Sequence, residues 1–426
     1  MHYFRHMTHS LFRCCFLMVA FALMGSAALG GNPARVTGSA LTDSTDRPSD
    51  DFLERIGFSG YIQALYQKAA SKGITSFSGG DFGEGMDQRL TVRRGRLKMT
   101  YDAGSSQAVI QVDATERGVA IWNAYLLFKE KKWNTFGLKA GVQSREFGHE
   151  VAYSSSKRES PERSRLLQTL FSGERDVGVK LFVAPPAESG LSFLRLEGGF
   201  YNGSGPASDY DNNKDFIGRI HLDFEGKSSP WKLGLGASLY LGGQRQNTRY
   251  SYTMAPDNRS FHLDSAESNI GKTAKRRYYG ADIQAGYAFP FGKTAVRAEY
   301  ITGKQPGSST SSKTPRSRPE EATYHRDFYG AYVILVQEFG RSPLNAFIKY
   351  DVYDPNRKVS GTEIDNGFTE GDIRFHTWGY GLAWHYDDHI TFTAYYEDVR
   401  NEQTQQSGFT DDIRDNVLSL QIQYRF

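Results

Sequence analysis

From residue 58 to the C terminus, apolar and polar side chains alternate with a period of two, in one segment of about ten residues after another. The last segment shows the rhythm most plainly. Leu418, Leu420, Ile422, Tyr424 and Phe426 fall on one face, and Ser419, Gln421, Gln423 and Arg425 on the other. Such a pattern restricts the chain to sheets, because a pleated strand turns a period of two into one apolar and one polar face. The predicted strands are 58–67, 89–101, 107–115, 119–129, 135–143, 177–183, 191–203, 215–224, 231–242, 277–289, 294–303, 327–339, 344–353, 373–386, 389–399 and 416–426. They number about sixteen, and a closed bacterial barrel needs an even number. After residue 30 no apolar run approaches the roughly 20 residues of a membrane helix. The mean hydropathy of −0.54 fits a barrel with a wet interior, in which only alternate residues meet lipid. A soluble sandwich or propeller also alternates, but its outward residues would be polar, and the two sets here do not fit into one dry core. In lipid every backbone amide must be bonded, and a sheet satisfies that only by closing on itself. The expected fold is all-β: a transmembrane antiparallel barrel over residues 57–426.

The connections support this. Those at 102–105, 130–133, 185–190, 225–230, 290–292, 340–342 and 387–388 are short. Those at 68–88, 144–175, 204–214, 243–276, 304–326, 354–372 and 400–415 are long. Short and long alternate along the chain, except that 116–118 is short where a long one is due. Short turns at one end and long loops at the other are the asymmetry of an outer-membrane barrel. Aromatics near strand ends, such as Tyr101, Trp122, Phe128, Tyr287, Phe289, Trp384 and Tyr386, suit interfacial girdles. Two segments resist simple alternation. Residues 327–339 are apolar on both faces, and 89–101 changes phase near Arg93-Arg94-Gly95, where a bulge is expected.

The N terminus explains the one long apolar run. Arg5, His6, His9 and Arg13 flank residues 11–28, which end in Gly25-Ser26-Ala27-Ala28. Residues 1–31 are therefore expected to be a cleaved signal peptide. Residues 32–56 are polar and are expected to form a short periplasmic leader. Cys14 and Cys15 lie in the signal, so the mature chain offers neither disulfides nor thiolate metal ligands. Arg5 and Arg13 also leave, reducing 51 basic side chains to 49 against 48 acidic ones, which argues against a polybasic nucleic-acid binder. The histidines are scattered, no Ser/His pair stands at a motif spacing, and His149-Glu150 alone is no metal site. No catalytic residue, metal or cofactor is expected.

The third connection, 144–175, is where function is expected. An insert this long between two clean strands is uncommon and usually functional. It is predicted to fold into the lumen and narrow it, with a helix over 161–171 capped by Ser160 and Leu166, Leu167 and Leu170 packed on the wall. Counting Asp176 just past its end, its charges balance, six basic against six acidic, while Ser154, Ser155, Ser156 and Ser160 add hydroxyl donors. Alternation also turns charge inward: Lys98, Lys139, Lys180, Arg195, Arg219, Arg297, Lys349 and Arg425, against Asp113, Glu197, Asp223, Asp282, Glu299, Asp351 and Glu397. Basic groups at a water-filled constriction concentrate anions and replace part of their hydration. The candidate anion contacts are Arg93, Arg94, Arg96, Lys98, Lys139, Arg145, Arg163, Arg165, Arg175 and Lys180.

These residues carry a resemblance. Gly141 with Phe147-Gly148, the serines 154–156, Glu162-Arg163-Ser164 and Arg175-Asp176-Val177-Gly178 resemble the third-loop region of phosphate-selective porins of the O and P type. Arg93-Arg94-Gly95-Arg96-Leu97 and Gln111-Val112-Asp113 are also similar. The resemblance implies a sixteen-stranded homotrimer in the outer membrane of a Gram-negative-type bacterium, with the third loop folded inward. It also implies passive uptake of phosphate, related anions or other small hydrophilic solutes. Here Glu146 replaces the family's usual proline before Phe-Gly, and the loop is not net basic. Residues 243–277 are basic and the last two long connections acidic; a solvated surface is the expected reading, with binding of lipopolysaccharide ions or neighbouring subunits the alternative. The alternative is a plugged or surface-binding barrel without anion selectivity.

Overall fold

The computed structural model describes residues 52–426 apart from 208, 226–228 and 366, so the expected signal peptide and most of the leader lie outside the described residues. A short 3-10 turn, Phe52–Arg55, leads into the first strand. The strands are β1 Ile56–Ala69, β2 Gln88–Asp102, β3 Ser106–Thr115, β4 Gly118–Lys129, β5 Phe136–Ser144, β6 Arg175–Val183, β7 Leu194–Tyr201, β8 Asp215–Glu225, β9 Trp231–Arg245, β10 Ser251–Met254, β11 Phe261–Asp264, β12 Thr273–Phe289, β13 Gly292–Gly307, β14 Thr323–Glu338, β15 Leu344–Asp354, β16 Phe375–His385, β17 Ile390–Asn401 and β18 Val417–Arg425.

Leaving aside β10 and β11, sixteen strands pair antiparallel with their chain neighbours, β9 with β12 across the gap. β1 pairs with both β2 and β18, for example Ile62 opposite Tyr424, and this closes the barrel. Every segment predicted from alternation has a counterpart among the sixteen. The exposed face is apolar: Ile62, Leu90, Ile110, Leu181, Leu382, Leu420 and Ile422 all point outward. Among the described residues no helix is long and apolar enough to cross a membrane, so crossing falls to the strands.

β10 and β11 form a hairpin that the sequence reading missed. Each has only four residues, too few for alternation to register. The hairpin is held by parallel pairing of Ser251–Thr253 with Thr323–His325 and by Tyr252 stacked on Tyr324 at 4.3 Å.

Two bulges set the interior. In β2, Gln63 faces Arg94 and Ala64 faces Val92, which leaves Arg93 unpaired and confirms the expected phase change. In β4, Gln111 faces Asn123 and Val112 faces Ile121, which leaves Trp122 unpaired. Trp122 is therefore no girdle residue, as alternation had suggested. The extra residue turns it away from Val119 and Ile121, which are exposed. The doubly apolar β14 is also resolved. Val333 and Leu335 are exposed, while Tyr332, Ile334 and Val336 pack on the opposite face with Phe347, Ala383 and Tyr395.

The main apolar core joins the third loop to the face of the sheet opposite the exposed band. Phe147, Val151, Leu166, Leu167, Leu170 and Phe171 pack against Tyr201, Ile217, Tyr240, Tyr278, Ile301, Phe328 and Tyr353. The three leucines thus pack on the wall as expected. The loop's helix, α1, is shorter than predicted, covering Arg165–Leu170. The Pro161 carbonyl accepts from Arg94 and Arg158, and the Ser160 carbonyl accepts from Arg158. With those acceptors taken by side chains, the helical ladder starts only after Ser164.

Candidate anion path

The bulge in β2 aims two consecutive arginines at one carboxylate. Arg93 Nη2 and Arg94 Nη2 each donate to Glu162 Oε2 at 3.0 Å, and Arg93 Nε donates to Oε1. Arg94 also donates to Gln63 Oε1 at 3.0 Å. Lys349 of β15 donates to Glu150 Oε1 at 2.9 Å, and the Ser164 amide and hydroxyl donate to the other oxygen. Burial alone would raise the Glu150 carboxyl, but Lys349 and Arg158 more than offset it and hold it down at about 2. Arg163 donates to the carbonyls of Glu150, Val151 and Tyr153 and pairs with Glu174. Arg297 of β13 pairs with Glu159. Tyr61 and Gln63 of β1 bond Ser155, and Gln423 of β18 donates to the Ser156 carbonyl. The third loop is thus bonded to strands from several sectors of the barrel.

These contacts divide the sequence-predicted residues. Arg93, Arg94 and Arg163 are occupied by the loop's own carboxylates and carbonyls. Arg145 is fully buried, with Nη2 donating to the Ser172 carbonyl, Nε and Nη1 lacking a bond, and its guanidinium 5.4 Å from the Phe171 ring. Arg165 lies apart, 3.6 Å from the Phe375 ring and 3.8 Å from the Asp415 carboxylate.

The others gather on β2, β5 and β6. Arg96 lies 3.5 Å over the Trp122 ring, donates to Asp113 at 3.1 Å and to Ser155 Oγ at 3.1 Å. Arg175 lies 4.8 Å from the same ring, and its Nε and Nη1 are buried without a hydrogen-bond partner. Lys139 sits opposite Lys180 in the β5–β6 register, its Nζ 4.0 Å from the Tyr125 ring. Lys180 pairs with Glu197 at 2.6 Å and Glu146 at 3.1 Å. Lys98 is two residues along β2 from Arg96 and half-buried. Sequence reasoning missed Trp122 and Tyr125. The signal was present: in the frame shared by Leu126 and Phe128, Trp122 falls outward, and only a bulge could turn it in. Elsewhere Arg219 forks onto Asp282 at 2.7 and 2.9 Å, so that inward cation is neutralised. Among the described residues no cluster of three or more metal-ligating side chains occurs.

A search of curated proteins finds no match. Among solved structures, the chain is similar to OprB of Pseudomonas putida in its high-pH structure, at TM-score 0.56 and 9% identity, covering 88% of this chain and 96% of that one. It is similar to the outer membrane channel DcaP of Acinetobacter baumannii, at TM-score 0.50 and 12% identity, covering 87% and 97%. It is also similar to the anion-selective porin from Comamonas acidovorans, at TM-score 0.50 and 10% identity, covering 87% and 99%. Such identities carry the fold, a closed sixteen-stranded barrel. The family described as phosphate-selective porin O and P matches residues 71–426, the alternating strands and the third loop included, and to that family this chain belongs.

Proposed function

We propose that the protein is a diffusive outer-membrane porin with a preference for small anions such as phosphate, its third loop folded into the lumen as the constriction. Residues 1–31 would direct export and be removed, residues 32–56 would form the periplasmic leader, and the barrel would assemble as a homotrimer among outer-membrane lipids and lipopolysaccharide. It acts as a channel, not as a catalyst.

The observation that carries the anion preference is Arg175. Its guanidinium shares the Trp122 ring with Arg96, and two of its nitrogens are buried with no bond partner. The Arg175 side chain keeps part of its surface open to solvent, so a passing anion meets a guanidinium whose charge these two nitrogens do not commit to a hydrogen bond. Around it Arg96, Arg175, Lys139 and Lys180 face Asp113, Glu146 and Glu197, and Glu174 beside Arg175 is shared with Arg163, so five cations stand against four carboxylates. Aromatic faces lend partial neutralisation without the competition a further carboxylate would bring. Arg93, Arg94 and Arg163 belong to the loop's anchorage, not to the anion contacts.

Single-channel recording in a KCl gradient tests this reading. A reversal potential on the chloride side supports it, and one on the potassium side overturns the anion preference. A plugged barrel is the second reading, and it has support of its own: the third loop bonds to β1, β2, β13, β15 and β18 at once. Folded protein that never conducts would establish it.

A further inference from the structure

A cavity of about 530 Å³ opens among the long connections, above α1. Phe77 of the first long connection, Phe375 at the start of β16, and Phe409 and Ile413 of the last connection give it apolar walls. Two cations border those walls. Arg165 of α1 lies 3.6 Å from the Phe375 ring and 4.4 Å from the Phe77 ring. Lys313 places its Nζ 4.3 Å from the Phe77 ring. Among the described residues neither side chain is hydrogen-bonded to a carboxylate. The Arg165 Nε is buried and unbonded, its approach to Asp415 is 3.8 Å, and Asp415 Oδ1 is itself without a partner. Lys313 makes no ion pair among the described residues. Glu370 and Arg414 also border the cavity and offset one another.

The walls are tied to one support. Gln168 of α1 donates to the Phe77 carbonyl at 2.9 Å. From the other side, the Thr314 amide donates to the Thr169 carbonyl at 2.9 Å and its hydroxyl to the Leu170 carbonyl at 2.6 Å. The cavity is therefore shaped by hydrogen bonds present before any ligand arrives, which lowers the ordering cost of binding.

We infer that this cavity is an entry site for organic anions with a flat apolar body, aromatic carboxylates above all, whose ring would stack among Phe77, Phe375 and Phe409 while its carboxylate meets Arg165 and Lys313. Inorganic phosphate satisfies the cations but leaves the rings facing water. A neutral aromatic fills the walls but leaves the cations unpaired. Only a molecule that is both satisfies the whole lining. The inference rests on the porin reading in taking the cavity as the mouth of the permeation path.

The test is calorimetric titration of the full folded chain in detergent, with benzoate, acetate and benzyl alcohol as probes, beside the reversal potential in KCl. Benzoate should bind about tenfold more tightly than either acetate or benzyl alcohol, because only it combines ring burial with charge. Phe409→Ala and Lys313→Gln, both in loops outside the barrel wall, should each weaken benzoate about fivefold or more. Equal binding of benzoate and acetate, or of benzoate and benzyl alcohol, overturns the inference, as do variants that bind benzoate like the parent. These outcomes are independent of the reversal potential. Cation preference with tight benzoate binding sinks the anion-porin reading and leaves the site standing, while anion preference with weak benzoate binding does the reverse.

Discussion

Arg94 donates to Glu162 across 3.0 Å, and both side chains are almost wholly removed from solvent. Arg93 reaches the same carboxylate, because the bulge in β2 turns two successive side chains to one side. The carboxylate is thus the one ion-pair partner that both guanidiniums share among the described residues, and it belongs to the loop while they belong to the wall.

Removing that carboxylate should release the loop. Glu162→Ala leaves the buried Arg94 beside the partly exposed Arg93 with their shared carboxylate gone, which costs on the order of 3–5 kcal/mol for the broken buried pair. The barrel's own ladder is untouched, so heat-modified mobility of the folded form should persist. Protease sensitivity between residues 150 and 165 should rise and single-channel conductance should increase. A variant with parental conductance and protease resistance would show that the loop is held elsewhere.

Arg163 and Arg175 should separate anchorage from selectivity. Arg163→Gln breaks bonds to three loop carbonyls and to Glu174, so it should loosen the loop as Glu162→Ala does. Arg175→Gln removes a guanidinium that makes no ion pair among the described residues, so it should leave the loop in place and reduce the chloride preference severalfold, as the loss of one charge from a narrow path does. Trp122→Leu should act in the same direction but more weakly, since a cation–π contact contributes about 0.5–2 kcal/mol. Reversal potentials for the three variants check the order, and Arg163→Gln altering selectivity alone would contradict it.

Much of the barrel was legible because alternation is local: each strand announces its own two faces. The partners across the lumen were not. Lys349 and Glu150 stand 199 positions apart, and nothing near either names the other. The residue types at the candidate site were readable as inward Arg and Lys, but which cations remain unpaired depends on such distant matches. The β4 bulge was hidden because Trp122 reads equally well as a girdle aromatic. The overlong helix expectation has the same origin, since Arg94 and Arg158 take the Pro161 carbonyl from outside the segment.

Acid should loosen the loop in a defined window. The Glu150 carboxyl ordinarily titrates near 4.5 and is held at about 2 in the folded loop. A folded value below the unfolded one means that the stabilisation is fully present above about 4.5 and is lost as pH falls through about 2. Conductance should therefore stay at its neutral-pH level down to about pH 4 and rise toward pH 2. Lys349→Met removes the main opposing charge, so the rise should move to higher pH. A conductance–pH profile identical in parent and variant would exclude Glu150 as the responsible group.

Gly148 fixes the loop's entry. Its φ is +61°, a conformation that costs an L side chain about 1–2 kcal/mol. Its amide donates to Ser238 Oγ at 3.0 Å, and the next two amides, of His149 and Glu150, donate to Glu299 Oε2 at 3.1 and 3.2 Å. A Cβ added at Gly148 would fall on the Glu299 carboxylate, so the carboxylate must leave the very amides it holds. Gly148→Ala should therefore both strain the turn and strip two amides of their acceptor, freeing the loop's entry from Ser238 of β9 and Glu299 of β13 while the Lys349, Arg297 and Glu162 anchors remain. The expected result is a channel that flickers between the parental and a larger conductance, since one end of the loop is loose and the other fixed. Gly148→Asn tolerates the left-handed conformation better but meets the same carboxylate. If the asparagine variant were quiet and the alanine variant noisy, backbone strain alone would account for the effect and the carboxylate clash would not.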